Sequence, residues 1–480
     1  MRHRIPLLCA AALLAHAHGA AAQAPVPLDA PTPEAPATLE APPLRPGPSV
    51  VVELGAGGLT ADAAAELSVQ HAPDMAQAAA ATARAEAAYR EARVGLFPQL
   101  QLQASYTRLS RVNLPPFDIG GGTVIDNPFP QILNNYLLRA SVSVPVTQIF
   151  MSTLPGMRAA SLGREAAELQ AAQQERMLRI QGREAYFQLM QARARVTVAQ
   201  QSVRVLEALV DTTRAMVERG VLARAELSGI QARLSSIRVV LMVAEGDAVI
   251  AEVALVQRIG GRAGDHVVLG EAAEVSDVSI PAALDAGQVD AALEARPEAA
   301  ALRALVEVRR AEVRVHRGTQ LPQVALVGAI DYANPNQRVF PQTAQFRHTW
   351  SLGVNVTWSP NAFAAGHHRA AGAEATLVEA EAQLSGLERA ITIEIHQADA
   401  AVRAAAASIG AAREAVAAAQ ETYEARRLRY EAGAGTSNDV LDAEMAARQA
   451  EVDLVDAYIN YRLAQARRSY ALGVTEEATP

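Results

Sequence analysis

The sequence predicts an α+β membrane protein, a trimeric 12-stranded β-barrel (four strands per protomer) continued by a long periplasmic α-helical coiled-coil tunnel. Three observations predict it: an internal two-fold repeat, four segments of alternating apolar and polar character, and two unusually long helical segments. The composition agrees, because aromatic residues are only 4% of the chain and abundant alanine favours helices. The formal net charge of −8 gives no broad electrostatic attraction for nucleic acid.

The N-terminus has the pattern of an exported protein. Residues 1–22 combine a basic start, a short apolar stretch and small residues up to Ala22, which predicts a cleaved signal peptide. Cys9, the only cysteine, lies within it, so the mature chain is expected to hold no thiol for a disulfide, a zinc site or nucleophilic catalysis. Residues 23–58 are rich in Pro and Ala and are predicted to be a disordered spacer. Thr60 is the predicted N-cap of the first helix.

The rest of the chain repeats itself. HAPDMAQ, which begins at His71, matches ARPEAAA, which begins at Ala295. LFPQLQL likewise matches QLPQVAL, and SVSVPV matches GVNVTW. A repeat of this length indicates a duplicated structural unit. The predicted units are a first repeat at 59–260, a linker or equatorial segment at 261–281, a second repeat at 282–473 and a tail at 474–480.

Each repeat contains two segments with the alternation of a β-strand. In HTWSLGVNVTW, one side carries both tryptophans of the chain, Trp350 and Trp358, together with apolar residues, while the other side is small or polar. One interpretation is a half-buried strand of a soluble sandwich. The other is a membrane strand with an aromatic residue at each lipid–water boundary, because eight residues tilted by about 40° span roughly 20 Å. The four predicted strands are 98–109, 136–147, 322–333 and 347–359.

The strands are followed by helical segments at 152–220 and 363–433, each about 70 residues, or on the order of 100 Å if continuous. Apolar residues at steps of three and four predict coiled-coil packing between these segments and the helices that follow them. Gly220, Gly433 and Gly435 mark the predicted hairpin turns.

Four strands per chain require an assembly. An open sheet edge is not tolerated in lipid, so strands must be shared among protomers. Two protomers would give a barrel filled by side chains, whereas three give twelve strands and room for a pore. We therefore expect a homotrimer with cyclic symmetry.

The double repeat, together with YEAGAGTSNDVLDAEMAARQAEVDL and the closing YRLAQARRSYALG, resembles the TolC-type outer-membrane efflux protein family, the outer membrane factors. The resemblance implies an outer-membrane channel-tunnel of a tripartite efflux or type I secretion system. It also implies contact with outer-membrane lipid, a tunnel extending into the periplasm, and docking to a periplasmic adaptor and an inner-membrane pump. Whether the exported substrate is a drug, a metal ion or a protein stays open.

The resemblance also implies a periplasmic aperture or gate formed by Tyr430, Glu226, Asp439 and Asp442, with Glu226 as a candidate hydrogen-bond acceptor for Tyr430. Asp439 and Asp442 share a helix face, and threefold symmetry would turn each into a ring of carboxylates that favours cations. The alternative is that both are solvated acids favoured at a helix start. Gly435 stands where the family's best-known member has an arginine, so a gate salt bridge from that position is not expected.

No enzymatic or metal chemistry is predicted. His367 and His368 are adjacent on a predicted helix and point apart, whereas metal ligands must face one another. We expect no catalytic residues and no cofactor, and hence a passive conduit. The competing hypothesis is a soluble periplasmic coiled-coil scaffold or adaptor, which explains the long helices but not the paired tryptophans.

Overall fold

The structure is a computed structural model of the chain. It describes residues 54–112, 117–118, 124–125, 131–262, 264–272, 278–432 and 434–474. The predicted signal peptide, the spacer up to residue 53 and Gly433 lie outside these ranges.

The first helix begins where the sequence predicted, because the Thr60 side chain caps it by accepting a hydrogen bond from the Ala63 N–H at 3.1 Å. A π-helical turn, Ile149–Thr153, leads into the longest helix of this half. The elements of this half are β1 (Leu54–Leu59), α1 (Ala61–His71), α2 (Pro73–Val94), β2 (Gln99–Arg108), β3 (Phe117–Asp118), β4 (Val124–Ile125), β5 (Asn134–Val144), α3 (Val146–Gln148), α4 (Leu154–Glu218) and α5 (Arg224–Arg258).

The second half of the chain repeats the order of the main helices and strands of the first half. Its elements are α6 (Ala286–Ala295), α7 (Pro297–Gly318), β6 (Gln323–Asn334), β7 (Arg347–Thr357), α8 (Pro360–Glu431) and α9 (Ser437–Ala471). Helices α2 and α7 each have 22 residues and begin with proline, which fits the first helical turn because it lacks an N–H. Helices α5 and α9 each have 35 residues. The predicted repeat is therefore present in the fold.

The four long strands form one antiparallel sheet in the order β2-β5-β6-β7. This is also their order along the chain. The central pair joins the two repeats, with Arg139 on β5 opposite Asp331 on β6. The predicted strands are confirmed, with boundaries that differ by a few residues.

The long helices pack as two hairpins, as the apolar spacing predicted. In the first hairpin, Leu206 and Val210 of α4 are buried against Ile230 and Leu234 of α5. In each helix the two residues are four positions apart and so lie on one face. The second hairpin, α8 with α9, buries an equivalent cluster that includes Val402, Ile409, Leu454, Tyr458 and Tyr461.

The expectation of a disordered spacer was wrong for its last residues, because β1 begins at Leu54. The Leu59 N–H donates to the Val268 carbonyl at 2.8 Å, and the Gly270 N–H donates to the Leu59 carbonyl at 2.8 Å. A Cβ at Gly58 would stand 2.7 Å from the Leu269 carbonyl carbon, so only glycine permits this approach. The partner is distant in sequence, and local composition therefore could not reveal the strand.

Candidate functional site

One face of the four-stranded sheet is largely apolar and mostly exposed. Its large side chains alternate with small or polar ones that point to the other face. The exposed apolar residues are Leu100, Leu102, Tyr106, Tyr136, Leu138, Val142, Leu326, Ile330, Tyr332, Trp350, Leu352, Val354 and Val356. Such a continuous apolar surface is unstable in water and needs an apolar environment.

The two tryptophans lie towards opposite ends of this apolar surface. Trp350 is 73% exposed and Trp358 is 54% exposed. Trp358 packs near Phe363 at the start of α8, with 6.4 Å between ring centroids. Towards the opposite end of the strands, Tyr332 stacks on Phe346, with 4.9 Å between ring centroids. Aromatic side chains therefore flank the aliphatic part of the surface at both ends.

The sheet has two free edges. In the described part of the chain, β2 pairs only with β5, and β7 pairs only with β6. The outer edges of β2 and β7 therefore expose backbone N–H and C=O groups that a further strand can bind.

At the opposite end of the long helices, the two hairpins turn. Gly220 has a φ of +77°, a left-handed conformation that strains other residues, and its N–H donates to the Val217 carbonyl at 3.0 Å. In the second turn, a Cβ at Gly435 would lie 3.2 Å from the Tyr430 backbone nitrogen, so a small residue is favoured there. The predicted role of Gly433 falls outside the described residues.

The four predicted aperture residues lie around these turns. Glu226, in the first turn of α5, accepts a hydrogen bond from the Ser437 hydroxyl, in the first turn of α9. This contact joins the two hairpins. Tyr430 is buried, and its hydroxyl lies 3.2 Å from the buried hydroxyl of Thr213 on α4. The expectation that Tyr430 bonds to Glu226 was therefore wrong, because each residue has a different partner on the opposite hairpin.

Asp439 lies in the first turn of α9, as the alternative of an acid favoured at a helix start predicted. It forms a capping box with Thr436, whose side chain accepts from the Asp439 N–H, and it also receives the Arg426 guanidinium of α8 at 3.3 Å. The hydrogen bonds from Thr436, followed by the nearby arginines, lower the pKa of Asp439 below its ordinary value. Asp442 is exposed on α9.

Further along α9, a charged cluster is buried against α4. Arg448 donates to Glu444 at 3.2 Å and to Glu451 at 2.7 Å, and all three side chains are at most 5% exposed. Ser202 of α4 donates to Glu444 at 3.4 Å. Burial raises the pKa of Glu444, and Arg448 opposes this rise only in part.

Sequence reasoning missed the partners Ser437, Thr213 and Arg426. Ser437 follows directly on the N-cap Thr436, so its place near a helix start was visible, but its contact with a residue of the other repeat was not. Position 435 is a glycine and offers Asp439 no positive charge. Arg426, which lies on α8 before the turn, provides that charge instead.

The sequence also matches a known family model, that of the outer membrane efflux protein, over residues 64–261 and again over 289–474. The chain belongs to the outer membrane efflux protein family. The two matched segments coincide with the two repeats of the fold. No curated protein sequence matches the chain.

Solved structures show the same fold. CusC, studied for conformational changes that accompany folding and transmembrane channel formation, superposes with a TM-score of 0.74 at 17% identity, covering 91% of this chain and 99% of its own. The CmeC outer membrane channel of Campylobacter jejuni gives a TM-score of 0.73 at 17% identity, covering 86% and 85%. The outer membrane protein VceC of Vibrio cholerae gives 0.72 at 20% identity, covering 87% and 97%.

These comparisons confirm the predicted fold class, an outer-membrane β-barrel continued by a helical tunnel, and the predicted function, an outer-membrane efflux channel. They also confirm the predicted localisation and oppose the competing hypothesis of a soluble scaffold. Members of this family are transport conduits.

Within the described ranges, no helix combines the length and apolarity needed to cross a membrane. In the same part of the chain, no group of three or more His, Cys, Asp or Glu side chains is arranged to hold a metal ion. His367 and His368 lie edge to face, with 5.7 Å between their ring centroids, so the expectation that they point apart was wrong.

Proposed function

We propose that three copies of this chain close a twelve-stranded barrel and a periplasmic tunnel, which act as a passive, non-enzymatic export conduit. The observation that carries this proposal is the four-stranded sheet with one largely apolar, exposed face and free edges at β2 and β7. In lipid, such edges must be paired, because no water is present to satisfy their backbone groups. Pairing β7 of one copy with β2 of the next satisfies them.

The number of copies follows from barrel size. Two copies would give eight strands, whose interior is filled by side chains, whereas three give twelve and leave a pore. The opposite face supports a pore, since it carries small and polar side chains such as Gln101, Gln103, Ser141, Ser351 and Asn355. Membrane channels of this kind have polar interiors.

The tunnel is proposed to narrow at the hairpin turns, where Glu226, Tyr430, Asp439 and Asp442 form the gate. The support is geometric: Glu226–Ser437 and Tyr430–Thr213 both join the first hairpin to the second, so the turns cannot separate without breaking them. The same hairpins are the proposed docking site of a periplasmic adaptor, which couples the conduit to an inner-membrane pump. A conduit of this kind draws its energy from the pump.

The proposal is tested by the mass of the mature protein in detergent. Multi-angle light scattering, corrected for bound detergent, is expected to give three times the chain mass. Reconstitution of the same material in planar bilayers is expected to give discrete channel conductance. A monomer that stays soluble without detergent, or a dimer without conductance, would refute the proposal.

A further inference from the structure

The polar face of the sheet is basic near the β6–β7 connection. Among the described residues of the four long strands and this connection, the charged side chains on the polar face are Arg139, Asp331, Arg347 and, from the connection, Arg338. Three of the four are arginines. The predicted gate at the far end of the helices is acidic, so the two ends of the proposed conduit differ in charge.

The single carboxylate of this group is already neutralised. Arg139 holds Asp331 through two hydrogen bonds, from Nε to Oδ1 at 2.6 Å and from Nη2 to Oδ2 at 3.0 Å. This bidentate geometry is the strongest that a guanidinium and a carboxylate form. Arg338 also lies within electrostatic range of Asp331, but three guanidiniums and one carboxylate leave this group with a net positive charge, and Arg338 and Arg347 are both exposed.

The connection that carries Arg338 folds over the polar face. Asn336 is 4% exposed, and its side-chain amide donates to the Thr349 hydroxyl at 3.2 Å and to the Arg347 carbonyl at 3.0 Å. The Arg338 guanidinium donates to the Trp350 carbonyl at 2.9 Å. These bonds hold the connection, and with it Arg338, close to β7.

A cavity of about 360 Å³ lies between this connection and the polar side of β2 and β5. Its polar lining consists of hydroxyl and amide groups of Ser105, Thr107, Asn135 and Asn336, the guanidiniums of Arg139 and Arg338, and the carboxylate of Asp331, which Arg139 binds. Hydroxyls, amides and guanidiniums all donate hydrogen bonds to anions. The connection therefore places, on the polar side of the sheet, groups that can donate hydrogen bonds to negatively charged solutes.

We propose that this end of the barrel is an anion-favouring filter that selects solutes carrying carboxylate or phosphate groups. The inference rests on the proposed trimeric conduit. Threefold symmetry repeats the Arg338 and Arg347 charges around one mouth, and rings of fixed charge set the ion preference of a pore. With carboxylates at the opposite end, the conduit has opposite selectivity at its two ends, and its current depends on the sign of the applied voltage.

The test is the reversal potential of single channels under a KCl gradient, compared between wild type and R338Q/R347Q. At 0.1 M or less, where charges act over about 10 Å, we expect the chloride-to-potassium permeability ratio to fall about twofold or more in the variant. We also expect the asymmetry of the current between positive and negative voltage to decrease. R338K/R347K, which keeps the charges, should behave as wild type.

The matched control is R108Q. Arg108 lies at the same end of the sheet, but its side chain belongs to the apolar face of β2 and donates a hydrogen bond to Asn134. Its loss should leave the permeability ratio unchanged. A wild-type protein without conductance would refute the conduit itself. If R338Q/R347Q channels conduct with the wild-type chloride-to-potassium permeability ratio, the filter is refuted but the conduit is not.

A second measurement keeps all arginines in place. Because Cys9 lies in the predicted signal peptide, the Ser351→Cys variant carries its one thiol on the polar face of β7, close to Arg338. A negatively charged methanethiosulfonate reagent is expected to label it several-fold faster than a positively charged one. Equal rates, or faster labelling by the cationic reagent, would overturn the proposal.

Discussion

The hydroxyl of Tyr430 lies 3.2 Å from that of Thr213, and the contact joins α8 to α4 close to the C-terminal ends of both helices. Both side chains are buried, at 6% and 0% exposure. A hydrogen bond between buried groups is costly to leave unmade, so it holds the two hairpins together where they turn.

Removing either hydroxyl is expected to loosen this end. Tyr430→Phe and Thr213→Val should each raise resting single-channel conductance, because each breaks the same bond with little change in side-chain volume. Each should weaken the contact by about 1–3 kcal/mol. Ion selectivity should stay nearly unchanged. The double variant tests the pairing, since additive effects on conductance would mean that the two hydroxyls act separately.

Asp439 and Asp442 are predicted to set the cation preference of the tip. Replacing both by alanine removes six carboxylates from a trimer and should weaken cation selectivity and block by multivalent cations in bilayer recordings. Glu421→Ala, an acid further back on α8, is the control for a loss of charge away from the turn. If the double variant keeps the wild-type selectivity, the two acids do not line the constriction.

The capping box gives the second turn a defined pH dependence. Because the pKa of Asp439 is lowered below its ordinary 3.8 in the folded protein, its stabilising contribution is present at neutral pH and is lost as pH falls through that lowered pKa. Conductance should therefore rise only below about pH 4. Asp439→Asn should show the raised conductance already at pH 7, whereas Asp442→Asn should not. A conductance that rises between pH 7 and 5 would contradict this assignment.

The two faces of β7 should respond differently to charge. Val354 is 64% exposed on the apolar face, and Asn355 is its neighbour on the polar face. Val354→Arg is expected to impair membrane insertion by roughly 2–4 kcal/mol if it lies near the bilayer midplane, and Asn355→Arg much less. The fraction of each variant inserted into lipid vesicles measures this. Similar losses for both would show that the faces are assigned incorrectly.

The buried cluster on α9 predicts a pH-dependent stability. Burial raises the pKa of Glu444, so the stability associated with its protonated form is lost as pH rises through that raised pKa. Glu444→Gln should therefore raise the melting temperature more at pH 8 than at pH 5. Arg448→Met leaves Glu444 and Glu451 buried without a cation and should cost about 3–5 kcal/mol. An equal effect of Glu444→Gln at both pH values would argue against this cause.

Much of the fold could be predicted because it follows local periodicity. The strand around Trp350 and the hairpin contact of Leu206 with Ile230 obey steps of two and of three to four, which sequence displays directly. The short strand β1 could not be predicted, because its pairing with Val268 and Gly270 depends on a distant segment.

The candidate site, too, could be predicted only in part from the sequence. The positions of Glu226, Tyr430 and Asp439 near the turns were predicted from the resemblance, and the structure places them there. Their partners were not predicted, because Ser437 is 211 residues from Glu226 and Thr213 is 217 residues from Tyr430. Side-chain pairs between the repeats depend on how the hairpins dock, and no periodic pattern records that.

The match between the two repeats also bears on the origin of the protein. Each repeat supplies two antiparallel strands and one long helical hairpin. Six copies of a half-length ancestor could therefore have built the same barrel and tunnel. Gene fusion would have linked those units in pairs and freed each to diverge. The present chain shows such divergence, since the first hairpin turns at a left-handed glycine while the second begins α9 with a capping box. Evolution could thus alter one hairpin in each pair without rebuilding the ring.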